Sequence, residues 1–403
     1  MAKAYPLLLA IVLGGVLTGG PAAAAPSGVP SLPDAVTAAL LSHTPTTLAA
    51  TARSRTQVTV QRRAGSGWAF GSAVLTAPAQ PDAYPLGWLF LAHREVGGWR
   101  VELEGDRGFA DLAGGAAVLS PAEREVFTTP SRVEYAGGDF RTGIPSRVEY
   151  AGGDFRTGMR LPYAVGQSWS LTGGPHGWGG SETPWSSIDL AGGDGRVLAP
   201  RAGLAYTMCG SGRGWIRVVH DRGYATDYYH LFNNISANGL SVGEGAFLGN
   251  IGTDVSCGGS ATGAHVHFAL RQNSAYVPIA DHNFGKWVIR SGGAVYQGSA
   301  LHGSAQVGVG GALYNYGALG LTQGVIDANG GGAVNKRSGP GTGYAIVGSV
   351  ADGATVSIAC SATGTTHTGR WGTTSLWNKL TDGTWISDAF VWTGSNGTVN
   401  GTC

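Results

Sequence analysis

Short apolar runs closed by turn residues constrain this chain more than any other feature. Residues 214–220 (GWIRVVH) and 264–270 (AHVHFAL) mix β-branched and aromatic side chains, and turns such as Asp221-Arg222-Gly223 separate such runs. Runs of this length and make-up read as strands. Past the N-terminal segment, no apolar stretch is long enough to span a bilayer. Glycine supplies 69 of 403 residues. That favours tight turns, and the absence of a strict three-residue period excludes collagen. With 12 Trp, 14 Tyr and 43% hydrophobic residues, disorder is excluded as well. Only 13% of residues are charged and the net charge is +1. No electrostatic footprint for DNA or RNA exists, and nothing favours an anionic membrane surface. The expectation is a mainly β protein of two or three domains, with few surface helices.

The N-terminus has the order of a secretory signal: Lys3, an apolar run over 7–17, then the small residues Ala22, Ala23, Ala24 and Ala25. The reading is a signal peptide over 1–25 and a secreted, extracellular product that does not stay in the membrane. A membrane anchor is the less favoured alternative, because the run is short. The four cysteines, Cys209, Cys257, Cys360 and Cys403, suit two disulfides in such a compartment. Three connectivities are open; pairing by proximity favours Cys209–Cys257 and Cys360–Cys403.

Residues 26–158 form a first, small α+β region. Asp34 reads as the N-cap of a helix ending at Ser42, and runs at 57–61, 68–75, 87–92 and 98–103 read as an antiparallel sheet. Its end carries a tandem repeat: PSRVEYAGGDFRTG stands at 130–143 and again at 145–158. Two copies cannot build a solenoid, so 130–158 reads as a linker or processing region. Arg141 and Arg156 within it, and Arg160 just beyond it, offer cleavage points. A second region spans 159–318, a Gly-rich linker 319–332, and a third region 333–403. The third has strand-like pieces at 345–350, 355–360, 377–380 and 385–391, which make a small β-barrel.

The chemistry lies among the histidines of the second region. His176 stands in Gly174-Pro175-His176-Gly177-Trp178, and Asp189 in Ser186-Ser187-Ile188-Asp189-Leu190. His230 follows Tyr228-Tyr229, and His265 and His267 stand in Gly263-Ala264-His265-Val266-His267-Phe268. On a strand, His265 and His267 share one face and Val266 takes the other. Zinc takes imidazole nitrogen and carboxylate oxygen, and catalytic sites use three protein ligands plus a water. His176, Asp189 and one histidine of the pair would supply that set. The bland alternatives are a surface loop histidine at 176 and a chance His-x-His on a strand; the joint pattern outweighs them. His220 reads as structural, and His43, His93, His282, His302 and His367 as isolated.

These residues, in this order and spacing, resemble the secreted lysostaphin-like zinc endopeptidases, and most closely their β-lytic/staphylolytic branch. The resemblance implies an antiparallel-sheet peptidase domain over 159–318 that binds one zinc ion. His176, Asp189 and His267 would be its ligands, His265 the general base, and His230 a second active-site histidine stabilising developing charge. Tyr296, in Ala294-Val295-Tyr296-Gln297, stands where the branch has a tyrosine near the oxyanion. Cys209 and Cys257 match the branch's disulfide. The family's groove is narrow and suits glycine-rich peptides. Trp178, Trp185 and Trp215 are candidates to line it, or else core aromatics.

The third region resembles bacterial SH3-like modules that bind cell walls, through Val334-Asn335-Lys336-Arg337-Ser338-Gly339-Pro340-Gly341, Tyr344-Ala345-Ile346-Val347-Gly348, Trp377-Asn378-Lys379-Leu380 and Trp385-Ile386-Ser387. Lys336 departs from the small or apolar residue usual there. Together the resemblances imply a secreted, monomeric zinc metalloendopeptidase acting on peptidoglycan, made with an N-terminal pro-region over 26–158. The rival readings are an endopeptidase for Gly-rich proteins and an inactive wall-binding homologue. For the first region the rival is a permanent accessory domain.

Overall fold

The computed structural model describes residues 30–44, 52–65, 67–129, 154–395 and 397–403. The expected signal peptide, the first repeat copy and most of the second lie outside the described residues.

The first region is a four-stranded antiparallel sheet of consecutive strands, β1 (Thr56–Ala64), β2 (Trp68–Leu75), β3 (Leu86–Glu95) and β4 (Gly98–Leu103). Helix α1 (Leu32–Ser42) packs on one face of it through Leu32, Val36 and Leu40. Ser31, rather than the expected Asp34, caps this helix: its hydroxyl accepts from Asp34 N at 3.3 Å. Pro33 fits the first turn, where a missing N–H costs nothing. Two helices that the sequence reading did not foresee follow, α2 (Phe109–Gly115) and α3 (Pro121–Thr128). The second opens with a reciprocal capping box between Ser120 and Glu123.

The central unit is a mixed-length antiparallel sheet built on β5 (Ser168–His176), β6 (Ser187–Gly192), β8 (Gly203–Thr207), β9 (Gly214–Val219), β10 (Tyr224–Phe232), β11 (Asn238–Val242), β13 (Val266–Gln272) and β19 (Ala312–Tyr314). Their order is β11-β8-β9-β10-β13-β6-β5-β19; β7 (Arg196–Leu198), β12 (Phe247–Asp254) and β14 (Ala275–Tyr276) pair beside it. One face of this sheet, including Ile188, Leu190, Val266, Phe268 and Leu270, is closed by the unit's own core. The other face, including Tyr206, Trp215, Tyr229 and Ala269, shares a core with Phe70, Val74, Leu89 and Leu91 of the first region. The period of two therefore divides the sheet between two partners. A smaller sheet follows, β15 (Asn283–Phe284) through β16 (Trp287–Ser291) and β17 (Gly298–His302) to β18 (Ala305–Gly308).

The C-terminal unit is a seven-stranded sheet. Its strands are β20 (Gln323–Ile326), β21 (Ala333–Arg337), β22 (Ile346–Ala351), β23 (Thr355–Gly369), β24 (Gly372–Leu380), β25 (Trp385–Ser387) and β26 (Val391–Trp392). Strand β20 falls inside the stretch read as a linker, and Val325 and Ile326 are buried in it. The run expected over 385–391 is broken by a short 3-10 turn at Asp388–Phe390. Cys209–Cys257 and Cys360–Cys403 are joined, with Cα–Cα distances of 5.8 and 5.1 Å.

Asp388 sets a pH dependence in this unit. Burial lifts its carboxyl to about 6, and the Asn378 N–H, 2.8 Å away, offsets that only in part. An acid that holds its proton more tightly folded than unfolded weakens the fold as pH rises from the unfolded value of about 3.9, and the loss is complete above pH 6. Asp388→Asn keeps the acceptor for Asn378 and removes the charge. It is expected to raise thermal stability at pH 7.5, by about 3 kcal/mol at most, and to change it little at pH 4. Melts of the full chain at both pH values check this; an equal shift at both would refute it.

Candidate metal centre and the segment that covers it

Three adjacent strands assemble the site. Asp189 on β6 stands directly opposite His267 on β13. On the other side Asp189 pairs with Gly173 of β5, where a side chain would collide: an added Cβ would lie 2.6 Å from Asp189 Oδ2. The register shifts between Gly173 and His176, and the shift brings His176 over the carboxylate. His230 sits at a similar irregularity of β10, with φ +65°. That left-handed conformation is uncommon for a non-glycine residue and is typical of held, functional positions.

His176 Nε2 lies 3.1 Å from His267 Nδ1 and 3.5 Å from Asp189 Oδ1, and His267 Nδ1 lies 3.1 Å from the same oxygen. His176 Nδ1 faces the Gly174 carbonyl at 2.7 Å, so it carries the proton and Nε2 presents its lone pair. Three electron-pair donors this close repel one another unless a cation lies between them. Tetrahedral ligands about 2.0–2.1 Å from zinc stand about 3.3 Å apart, which the three distances bracket. The carbonyl behind His176 is the outer hydrogen bond that orients a ligating imidazole. Burial lowers the His267 pKa to about 4, against the opposing Asp189 hydrogen bond. The imidazole is therefore neutral at pH 7, the form a metal needs.

Two more imidazoles stand beside this triangle. His265 Nδ1 faces the Gly263 carbonyl at 2.7 Å, and its Nε2 lies 3.6 Å from Asp189 Oδ1. His230 Nδ1 faces the Asp254 carbonyl at 3.1 Å, with its ring 4.8 Å from His265. Burial, then the neighbouring His265 and His267, depress the His230 pKa to about 3. Tyr296, also left-handed at φ +63°, stacks on His176 at 4.0 Å. Burial first, then the Asp189 charge, push its phenol up to about 12. The structure thus brings together all six residues singled out from the sequence. His220 lies apart, held by Ala202 O and Thr226 Oγ1.

The first region contributes something the sequence reading did not foresee. Between β2 and β3 its chain crosses the site as a strap. Ala77 N donates to Cys257 O at 2.9 Å, and Gly259 N donates to Pro78 O at 3.0 Å. Gly258 admits this backbone contact because a Cβ there would fall 2.0 Å from Ala77 O. Tyr84 stacks on His267 at 5.1 Å, stands edge-on to His230 at 5.9 Å, and brings its phenol beside that of Tyr296. Trp178, buried beside His267, donates to Pro85 O at 2.6 Å. Trp178 and Trp215 therefore lie under the first region, while Trp185 is half-buried.

A buried two-histidine, one-carboxylate triangle with two further imidazoles at its open side, on an antiparallel sheet, defines a single-metal hydrolase site. The profile of Peptidase family M23 matches residues 183–279. The beta-lytic metalloendopeptidase of Lysobacter enzymogenes is 30% identical over 128 residues, 29% of this chain and 71% of that protein. The chain belongs to peptidase family M23, and this region is its metalloendopeptidase domain. Protease LasA of Pseudomonas aeruginosa is 36% identical over 149 residues, which span 34% of this chain and 35% of LasA. The chain thus matches about a third of LasA's length. Among solved structures, the deep-sea M23 metalloprotease pseudoalterin aligns with 39% of this chain and 97% of its own, at 31% identity and a TM-score of 0.36.

Proposed function

We propose that this chain is the precursor of a secreted zinc endopeptidase that cuts Gly-rich or stem peptides of bacterial peptidoglycan. The observation that carries the reading is the donor triangle of His176, Asp189 and His267 with His230 and His265 beside it. Those three residues would hold one zinc ion. Bound there, zinc supplies a Lewis acid for the scissile carbonyl and draws the pKa of a water toward about 7.

The remaining side chains handle protons. His265 presents Nε2 toward Asp189 and accepts the proton of the attacking water. His230, neutral at rest, takes that proton over from His265, points it at the developing oxyanion, and gives it up to the leaving amine as the C–N bond breaks. Tyr296 keeps its phenolic proton at neutral pH and is a second donor. In the full chain Tyr84 stands against Tyr296 and fills the space above His267. Residues 26 to about 153 accordingly act as an inhibitory pro-region. The C-terminal unit, read as SH3-like, would hold the enzyme at the wall and raise its local concentration. Among the described residues no helix is long and apolar enough to cross a membrane.

The test is turbidity clearing of bacterial walls by the processed protein, with and without a chelator. Clearing that stops with the chelator and returns with zinc is the expected result, and the released fragments identify the bond. No clearing of several wall types by folded, zinc-loaded protein would sink the wall reading.

A further inference from the structure

The face covered by the pro-region carries a second polar cluster, away from the histidines. Arg217, Asp227 and Arg271 are buried there, on β9, β10 and β13. Arg217 Nε and Nη2 grip the two Asp227 oxygens at 2.9 and 3.0 Å. Trp215 Nε1 and the Tyr276 hydroxyl donate to the same carboxylate at 2.8 and 3.0 Å. Arg271 Nη1 stands 3.8 Å from Asp227 Oδ2, and its Nη2 donates to Ser274 O. The peptidase unit thus supplies two cations and one anion. The second anion comes from the pro-region: Glu104 Oε2 accepts from Arg217 Nη1 at 2.8 Å.

A guanidinium is built to take a carboxylate through its fork of donors. Once the pro-region leaves, Arg217 keeps Asp227 but loses the acceptor of Nη1, and the cluster is left with a net positive charge. The proton-handling groups described above do not use it. We propose that Arg217 is a carboxylate-binding subsite of the mature peptidase, and that Glu104 occupies the place of a substrate carboxylate. This rests on the reading of the chain as a peptidase precursor.

The register fixes where such a substrate is held. Arg217 pairs with Asp227, Asp227 with Ala269, and Ala269 is two residues beyond His267 on β13. Two strand spacings across and two residues along place the Arg217 backbone about 12 Å from that of His267. An extended peptide covers this in about three or four residues. Trp178, Trp215 and Tyr229 floor the interval. The ligand class is a peptide with a carboxylate three or four residues from the bond that is cut.

Two pairs of Gly-rich peptides test this with matured, zinc-loaded wild-type protein. One pair carries Glu or Gln three or four residues to either side of a Gly-Gly bond. The other ends at that position as free acid or amide. The expected result is at least a tenfold higher kcat/KM for the acid member of one pair, carried by KM. Which pair responds tells a side-chain carboxylate from a chain terminus. Arg217→Gln is expected to erase the preference while still cutting the uncharged peptide. The wild-type comparison stands even if that variant does not fold. Equal cutting of acid and amide in both pairs overturns the proposal. Cutting of no peptide overturns the peptidase reading instead, and the subsite falls with it.

Discussion

Removing the pro-region from the processed chain is expected to raise hydrolysis of a Gly-rich peptide at least a hundredfold, while a nick within 130–153 alone changes it little. Tyr84 stacks on His267 and stands against Tyr296, and the strap takes both backbone groups that Cys257 and Gly259 offer. A nick leaves these contacts in place. It also leaves the shared apolar core, the Glu104–Arg217 pair and the bond from Tyr206 to Glu123 at 2.9 Å. Dissociation would expose the apolar core that the two regions share, so the nicked complex should stay together until the pro-region is digested. Size-exclusion chromatography beside the peptide assay separates the two stages. A full chain as active as the stripped enzyme would refute inhibition. The mature N-terminus is expected at or before Asp154. Arg156 is bonded to Asp154 and Leu321 O, its carbonyl accepts from Arg222, and Arg160 is buried. Of the cleavage points read from the sequence, Arg156 and Arg160 are thus sequestered, and Arg141 lies in the segment where the cut is expected. A mature protein beginning at Thr157 or Leu161 would contradict this.

What the sequence disclosed here was local or strongly periodic. The alternation over His265, Val266 and His267 placed both imidazoles on one face because a strand leaves no other choice. The four runs of the first region became its four strands. The linker reading missed β20 because the four residues Gln323-Gly324-Val325-Ile326 lie among glycines and carry little pattern of their own. Asp34 was credited with a cap that Ser31 makes, since both types suit that position and only the backbone separates them. Tyr84 and Glu104 were invisible for a deeper reason. Each is one ordinary residue whose partner lies over a hundred positions away, and no spacing rule links a strap in one region to a histidine in another. Periodicity shows that a strand has two faces, but not that a second sheet covers one of them.

His267→Ala is expected to lower peptide hydrolysis at least a thousandfold and to abolish tight zinc binding, while leaving the chain folded. Its Nδ1 is one of three converging donor atoms, and two donors cannot complete a site that keeps one position for water. The imidazole is itself neutral when buried, so its loss removes no charge. The missing ring leaves a cavity beside Trp178 and Tyr84 that costs about 2–3 kcal/mol. The readout that separates ligation from packing is thermal. A ligand present at about a thousand times its Kd stabilises the fold by about 4 kcal/mol. Stripping zinc should therefore lower the wild-type melting temperature and leave that of His267→Ala where it is. Asp189→Asn, which keeps shape but loses charge, should fall between the two. If His267→Ala still binds one zinc ion with wild-type affinity and keeps a chelator-sensitive melt, the ligand is not His267. His265, whose Nε2 faces the same Asp189 oxygen at 3.6 Å, would then be the third donor, and His267 would be left as its buried neighbour.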